Sequence, residues 1–308
     1  MCGIFGFSFK SGAVSEGRRA LLAARLAYEN DKRGGHSWGF ATPAKKRVHI
    51  ERGLGNMSGH AGLLVGHHVV MGHTRLATCG DKTIENAHPF EIGNLVGAHN
   101  GIVRNHEELC QKYNRQFTVD SPHLFAHLAE GRNFDDVETY GAIEWIDKAT
   151  PARVWLSRLS GGSLSIYGIG RDKQTIGVVW SSDDRHLLDA LAYAKLDAPH
   201  FPYCVPEGAV FFIDDGVCLV TERELKVKPY SSFIRVWDSD DSTVDWYLDR
   251  SGRRGREPTA EIVTPGGQRE REERTDGLLL DKPSSDDGLI DCPWCHEPFV
   301  WRQLRSDL

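Results

Sequence analysis

Cys2 stands directly behind the initiator methionine in Met1-Cys2-Gly3-Ile4-Phe5-Gly6-Phe7, and it is the residue around which chemistry could be built. Loss of Met1 would leave a thiol and an α-amino group on one terminal residue. A thiol has a pKa of about 8.5 and is a weak nucleophile at neutral pH unless a base is close. The α-amino group, with a pKa of about 7.7 to 8.0, would be that base, a few bonds away. The competing reading is a cysteine that lies near an N-terminus by accident, and these seven residues do not separate the two.

Three inner stretches carry matching chemistry. His73-Thr74-Arg75-Leu76-Ala77-Thr78-Cys79-Gly80 places an arginine at a predicted strand end, where its planar fork can hold a carboxylate through two hydrogen bonds. His99-Asn100-Gly101-Ile102 offers a side-chain amide and a glycine N–H, the donor pair an oxyanion hole needs. Val119-Asp120-Ser121 presents a carboxylate that can pair with an ammonium group. Together they describe an amino acid gripped at both charged ends, with a carbonyl held near a thiolate. Singly each has a plainer use: Arg75 in a surface ion pair, Asn100-Gly101 as a hairpin turn, Asp120 as a helix N-cap.

The elements that must position these residues follow from periodicity. A strand is predicted from Ile4 to Phe9, then an amphipathic helix over 18–30, with strands around 48–50, 69–74 and 94–99. Each of the last two ends in polar residues. Helices are predicted over 106–113, 122–129 and 137–149, the second opened by Asp120-Ser121-Pro122. Strands resume at 154–156, 163–169, 176–180, 209–213, 217–221 and 233–237, interrupted by one helix near 185–194. This order suggests an α+β chain of two antiparallel sheets packed between helices.

A chain of 308 residues with 40% hydrophobic content can bury a sizeable core. No apolar run approaches the roughly 20 residues of a spanning helix and the start lacks a secretory pattern, so a cytoplasmic protein without membrane contact is expected. Seven cysteines without dense spacing favour a reducing compartment over a disulfide scaffold. The net charge of −6 resides in residues 238–291, where 15 acidic and 8 basic side chains leave +1 for everything else, so the main body shows no nucleic-acid surface. That polar stretch reads as a linker between a domain over 1–237 and a short element over 292–308. There Cys292-Pro293-Trp294-Cys295-His296 supplies three ligands of a structural zinc site, half of a zinc ribbon, with a metal-free thiol turn as the equal alternative. His36, His60, His67, His68, His73 and His99 show no H-x-x-x-H spacing and read as structural.

As a set the motifs resemble the class II glutamine amidotransferases, the N-terminal-nucleophile family that includes the glutaminase half of glucosamine-6-phosphate synthase. The resemblance rests on Met1-Cys2-Gly3-Ile4, Arg33-Gly34 with Ser37 and Gly39, His73-Thr74-Arg75, Ala77-Thr78, Gly80, Asn86-Ala87-His88-Pro89, His99-Asn100-Gly101-Ile102 and Asn105-His106-Glu107. It spans about 2–220 and weakens after Leu128. It implies a four-layer αββα sandwich, Cys2 as nucleophile with its α-amino group as base, and Asn100 and Gly101 as the oxyanion hole. It further implies Arg75 on the glutamine α-carboxylate, Asp120 on its α-amino group and Thr78 as a further substrate contact. Asn86-Ala87-His88-Pro89 would support the site, and Ser181-Ser182-Asp183 would be structural. Two positions depart from the synthase branch, Leu76 standing for a tryptophan and Cys79 for a histidine.

By the same resemblance glutamine is hydrolysed to glutamate and ammonia through a Cys2 thioester, with no cofactor. The roughly 80 residues after Arg223 are too polar for a synthase domain, so the expected ammonia acceptor is a separate chain, and a homodimer is one option for assembly. The alternative is a free-standing amidohydrolase of another γ-glutamyl or acyl amide.

Overall fold

The computed structural model describes residues 2–227 apart from 46, 172–173, 197–200 and 204. Beyond them it describes only short strands at Phe233–Ile234, Trp246–Leu248, Arg254–Arg256, Leu289–Asp291 and Pro298–Val300. Two units result, Met1–Tyr230 with Asp291–Leu308, and Ser231–Ile290. The second holds a small antiparallel sheet of the strands Phe233–Ile234, Trp246–Leu248 and Arg254–Arg256. Cys292, Cys295 and His296 lie outside the described residues.

The first unit is built on β1 (Gly3–Phe9), the central strand of a seven-stranded antiparallel sheet. One side of β1 pairs with β4 (Val69–Arg75), which pairs with β2 (Ser37–Ala44) and through it with β3 (Arg47–Leu54). The other side pairs with β10 (Gln174–Ser181), followed by β9 (Ser165–Arg171) and β11 (Phe201–Tyr203). A second antiparallel sheet runs in the order β13 (Val217–Glu224), β12 (Ala209–Asp214), β8 (Val154–Arg158), β7 (Thr139–Asp147), β6 (Leu95–Val103), β5 (Phe90–Ile92).

Strand alternation divides the core. Phe5, Phe7 and Phe9 point to one face of β1, where they pack with Leu22 and Leu26 of α1 (Glu16–Asp31) and Leu187 and Leu191 of α4 (Asp184–Tyr193). Ile4 points the other way, into a cluster with Trp180, Val96, Ala98, Ala142 and Ile146 that joins the two sheets. A third cluster sets Ile143, Trp145 and Val103 against Leu109 of α2 (His106–Tyr113) and Leu124, Phe125 and Leu128 of α3 (Pro122–Ala129). The predicted two-sheet plan therefore holds. No helix among the described residues is long and apolar enough to cross a membrane.

One expectation fails. Residues 139–147, expected within a helix over 137–149, form strand β7 between β6 and β8. Ala142 and Ile146 face one cluster while Ile143 and Trp145 face the other, so both faces are apolar and the two-residue alternation is hidden.

Glu144 of β7 lies fully buried between the sheets, one carboxylate oxygen accepting from Trp180 Nε1 at 2.7 Å. Burial raises its pKa well above the ordinary carboxylate range, offset only in part by that bond. The folded chain thus keeps this proton above about pH 4.3, where the unfolded chain releases it, and stability falls as pH rises by up to about 1.4 kcal/mol per unit. Glu144→Gln retains an acceptor for Trp180 and removes the titration. Denaturant unfolding near pH 5 and near pH 7 is expected to show the variant gaining on the parent as pH rises, and a constant gap would reject the buried proton.

Candidate active site

Strand ends from both sheets meet at one cleft. Cys2, Arg75, Leu76, Thr78, Cys79, His88, Phe90, His99, Gly101, Val119, Asp120 and Ser121 line it, around some 280 Å³ of space that includes its opening to solvent. The nucleophile candidate, the cation and the anion chosen from sequence thus line one cleft. Thr78 and Gly101 join them, whereas Asn100 is not among the lining residues. Asn100 is nearly buried on β6, on the strand face that Val96 and Ala98 turn toward the other sheet.

Cys2 is held through main chain. Its Sγ lies 3.3 Å from the Leu76 N–H, which donates to it, and 3.5 Å from the Leu76 carbonyl. Its own carbonyl accepts from Arg33 Nε at 2.9 Å, and Arg33 Nη1 reaches Asp183 Oδ2 at 3.0 Å. Asp183 also caps α4, and the neighbouring Ser182 clasps Ile4 in both directions, Oγ accepting from Ile4 N and its own N–H donating to Ile4 O. The Ser181-Ser182-Asp183 element therefore fixes the first residues of β1. In the sequence Arg33 stands only as part of a motif; the structure makes it the link from that element to Cys2.

Gly34 makes the approach possible. A Cβ on it would lie 2.5 Å from the Arg75 carbonyl carbon and 2.6 Å from the Leu76 nitrogen, so a larger residue would push away the strand end that holds the sulfur. Next to it, His36 N–H donates to Arg75 O, and His36 Nδ1 accepts from Ala77 N at 3.0 Å.

Burial raises the pKa of the Cys2 thiol; the Leu76 N–H, a nearby amino terminus and Arg75 pull it down, while Asp120 adds to the rise. The resting sulfur is a thiol and needs a base when it reacts.

Arg75 folds a loop around itself, donating from Nη1 to Asp81 O at 3.0 Å and from Nη2 to Cys79 O at 2.6 Å. Of its five N–H donors, Nε and one on each terminal nitrogen remain for a carboxylate. Gly80, at φ +71°, lets that loop reverse beside Val119. Asn86 ties the loop to the next wall, donating to Asp81 O and accepting from Thr118 Oγ1 at 2.9 Å. Leu76 and Cys79 act on Cys2 and Arg75 through backbone atoms, so these contacts survive the two departures from the synthase branch.

Asp120 is nearly buried, and its Oδ2 accepts from Val103 N at 2.6 Å, which fixes the carboxylate to the end of β6. Behind the cleft His99 bridges Tyr140 O at 3.1 Å and Ser121 Oγ at 3.0 Å, while His73 Nε2 reaches His99 O. The rings of His73 and His88 lie with centroids 3.9 Å apart, tilted by 35°. Burial holds these imidazoles neutral, driving His73 down to about 3 and His88 well below its ordinary range, and it lowers His99 also. Neutral and buried, they pack the wall of the cleft.

No protein-family model matches the chain. Among curated proteins it is 29% identical over 241 residues to glutamine–fructose-6-phosphate aminotransferase of Aeropyrum pernix, covering 70% of this chain and 37% of that one. It is 26% identical over 266 residues to amidophosphoribosyltransferase of Methanocaldococcus jannaschii, covering 75% and 51%. These similarities support the class II glutamine amidotransferase family for this chain. It spans at most about half the length of these relatives.

Two solved structures share the fold. One is the glutamine phosphoribosylpyrophosphate amidotransferase of B. subtilis, complexed with ADP and GMP (TM-score 0.51, 17% identity, 75% of this chain and 50% of that chain). The other is described as the allosteric regulatory enzyme of purine biosynthesis (TM-score 0.54, 18% identity, 75% and 50%).

Proposed function

We propose that this chain is the glutaminase of an amidotransferase, hydrolysing glutamine through Cys2 and handing the ammonia to an acceptor enzyme. The observation that carries the reading is the shared cleft, in which the Cys2 sulfur lies with the Arg75 cation and the Asp120 carboxylate. Those charges suit the α-carboxylate and α-ammonium of a free amino acid. With Met1 gone, the Cys2 α-amine takes the thiol proton as sulfur attacks the side-chain amide carbon. The tetrahedral oxyanion rests on the Gly101 N–H and the Asn100 amide. The C–N bond breaks, the departing nitrogen takes the proton back from the ammonium, and ammonia leaves a γ-glutamyl thioester. Water, deprotonated by the same amine, then releases glutamate and restores the thiol. No metal or cofactor takes part in this sequence.

A hydrolase of some other acyl amide would use the same sulfur without needing both Arg75 and Asp120, and the presence of both in the cleft favours glutamine. The test is glutamate release from glutamine, with and without co-purifying proteins, combined with the intact mass of the active protein. Expected are turnover and a chain lacking Met1, with kcat/KM rising through the amine pKa of about 7.7 to 8.0. Full activity on a chain that keeps Met1 would overturn the proposed base.

A further inference from the structure

Behind the cleft wall, His106 and Cys110 occupy successive turns of α2, and His123 faces them from the first turn of α3. His106 Nδ1 lies 3.1 Å from His123 Nε2, and Cys110 Sγ lies 3.5 Å from His123 Nε2 and 3.9 Å from His106 Nδ1. Zinc bonds of about 2.0–2.1 Å to nitrogen and about 2.3 Å to sulfur give tetrahedral edges of about 3.4 Å between nitrogens and about 3.6 Å from nitrogen to sulfur. The observed triangle is already close to that size.

We propose that His106, Cys110 and His123 form a zinc-class metal site, with two imidazole nitrogens and one thiolate as ligands and a water in the fourth position. Imidazole and thiolate select zinc and its transition-metal neighbours over magnesium or calcium. On binding, Cys110 releases its proton to solvent, and the proton between His123 Nε2 and His106 Nδ1 exchanges through solvent to the far nitrogen of the ring that owned it, so that both rings stay neutral with their hydrogens away from the metal. Arg115 Nη1 approaches that other nitrogen of His123 only at 3.4 Å, and its charge is met by Glu130 at 2.7 Å. The edge of the His123 ring is set by Phe117, whose ring centroid lies 5.0 Å away at 82°. His123 follows Asp120 and Ser121 by three and two residues, and its N–H donates to Asp120 O. The bound ion clips α2 to α3 and braces the cleft wall that carries Asp120. Its ligands are other residues than those of the Cys292-x-x-Cys295-His296 turn, and it does not depend on the glutaminase reading.

The test uses the full chain with Cys292→Ser and Cys295→Ser, which removes the other thiol pair. Titration with zinc against a chromophoric chelator is expected to show one equivalent bound, and Cys110→Ser in that background is expected to weaken it at least about 100-fold. Cobalt in place of zinc is expected to give a thiolate charge-transfer band that disappears with Cys110→Ser and persists with Cys2→Ala. Should Cys110→Ser fail to fold, His106→Ala provides the same comparison at a half-buried position. Zinc uptake unchanged by both substitutions, a cobalt band that follows Cys2, or no uptake in the background would each overturn the site and leave only a hydrogen-bonded trio.

Discussion

Cys2→Ala is expected to abolish glutamine hydrolysis, lowering kcat by about 10⁵- to 10⁶-fold, the scale seen when a covalent nucleophile is deleted from a preorganised site. The substitution removes only the sulfur. The Leu76 N–H loses one contact, while Arg33 still holds the residue 2 carbonyl and Ser182 still clasps Ile4. Residue 2 is only half-buried, so the cost to stability should stay near 1 kcal/mol and the protein should unfold close to the parent temperature. Loss of activity then reports on chemistry. Cys2→Ser keeps shape and base but not the polarisable sulfur, and it is expected to be severely impaired as well. Asn100→Ala, which removes one oxyanion donor and leaves the covalent route, should lose only about 10²- to 10³-fold. Glutamate release by Cys2→Ala at the parent rate would end the thioester mechanism; equal losses in Cys2→Ala and Asn100→Ala would instead argue that both act through the fold.

What the sequence reveals of this arrangement follows from which atoms do the work. Cys2, Arg75, Gly101 and Asp120 can be picked out because their side chains, or the lack of one at Gly101, offer matching chemistry near element ends, whereas Thr78 is reached only through the family resemblance. Helices α1 and α4 are legible because each buries one stripe, whereas α3, buried on nearly every residue, is marked by its Asp120-Ser121-Pro122 start. The contacts that hold the sulfur were not legible, since the Leu76 N–H and the Cys2 carbonyl are main-chain groups that every residue possesses. Strand β7 was missed because two apolar faces conceal its period, and β5 and β11 are three residues long, too short to show one. The His106, Cys110 and His123 group also escaped notice. Its first two members have helical spacing, but the third stands 13 residues beyond Cys110 and reaches them only because α3 packs back on α2.

Arg75→Lys is expected to raise the KM for glutamine far more than it lowers kcat, with kcat/KM falling by about 10²- to 10⁴-fold. The guanidinium is buried and, on the proposed reading, has two tasks: two N–H groups hold the Cys79 and Asp81 carbonyls, and the others are left for the substrate in the cleft that Arg75 lines. A lysine ammonium has three donors on one atom and cannot span two loop carbonyls while also meeting both oxygens of a carboxylate. Hydrogen bonds to charged groups contribute about 1.5–3 kcal/mol each, so losing two accounts for the expected range. The loop task must be separated from the substrate task, because a displaced Cys79–Asp81 loop would disturb Thr78 and Gly80 as well. A glutamine analogue with its α-carboxylate converted to an amide makes that separation as a double-mutant cycle. If Arg75 clamps the carboxylate, the parent should handle this analogue poorly and Arg75→Lys should worsen it little further. If the substitution harms glutamine and the analogue by the same factor, the arginine serves only its loop, and the case for a free amino acid as substrate then rests on Asp120 alone.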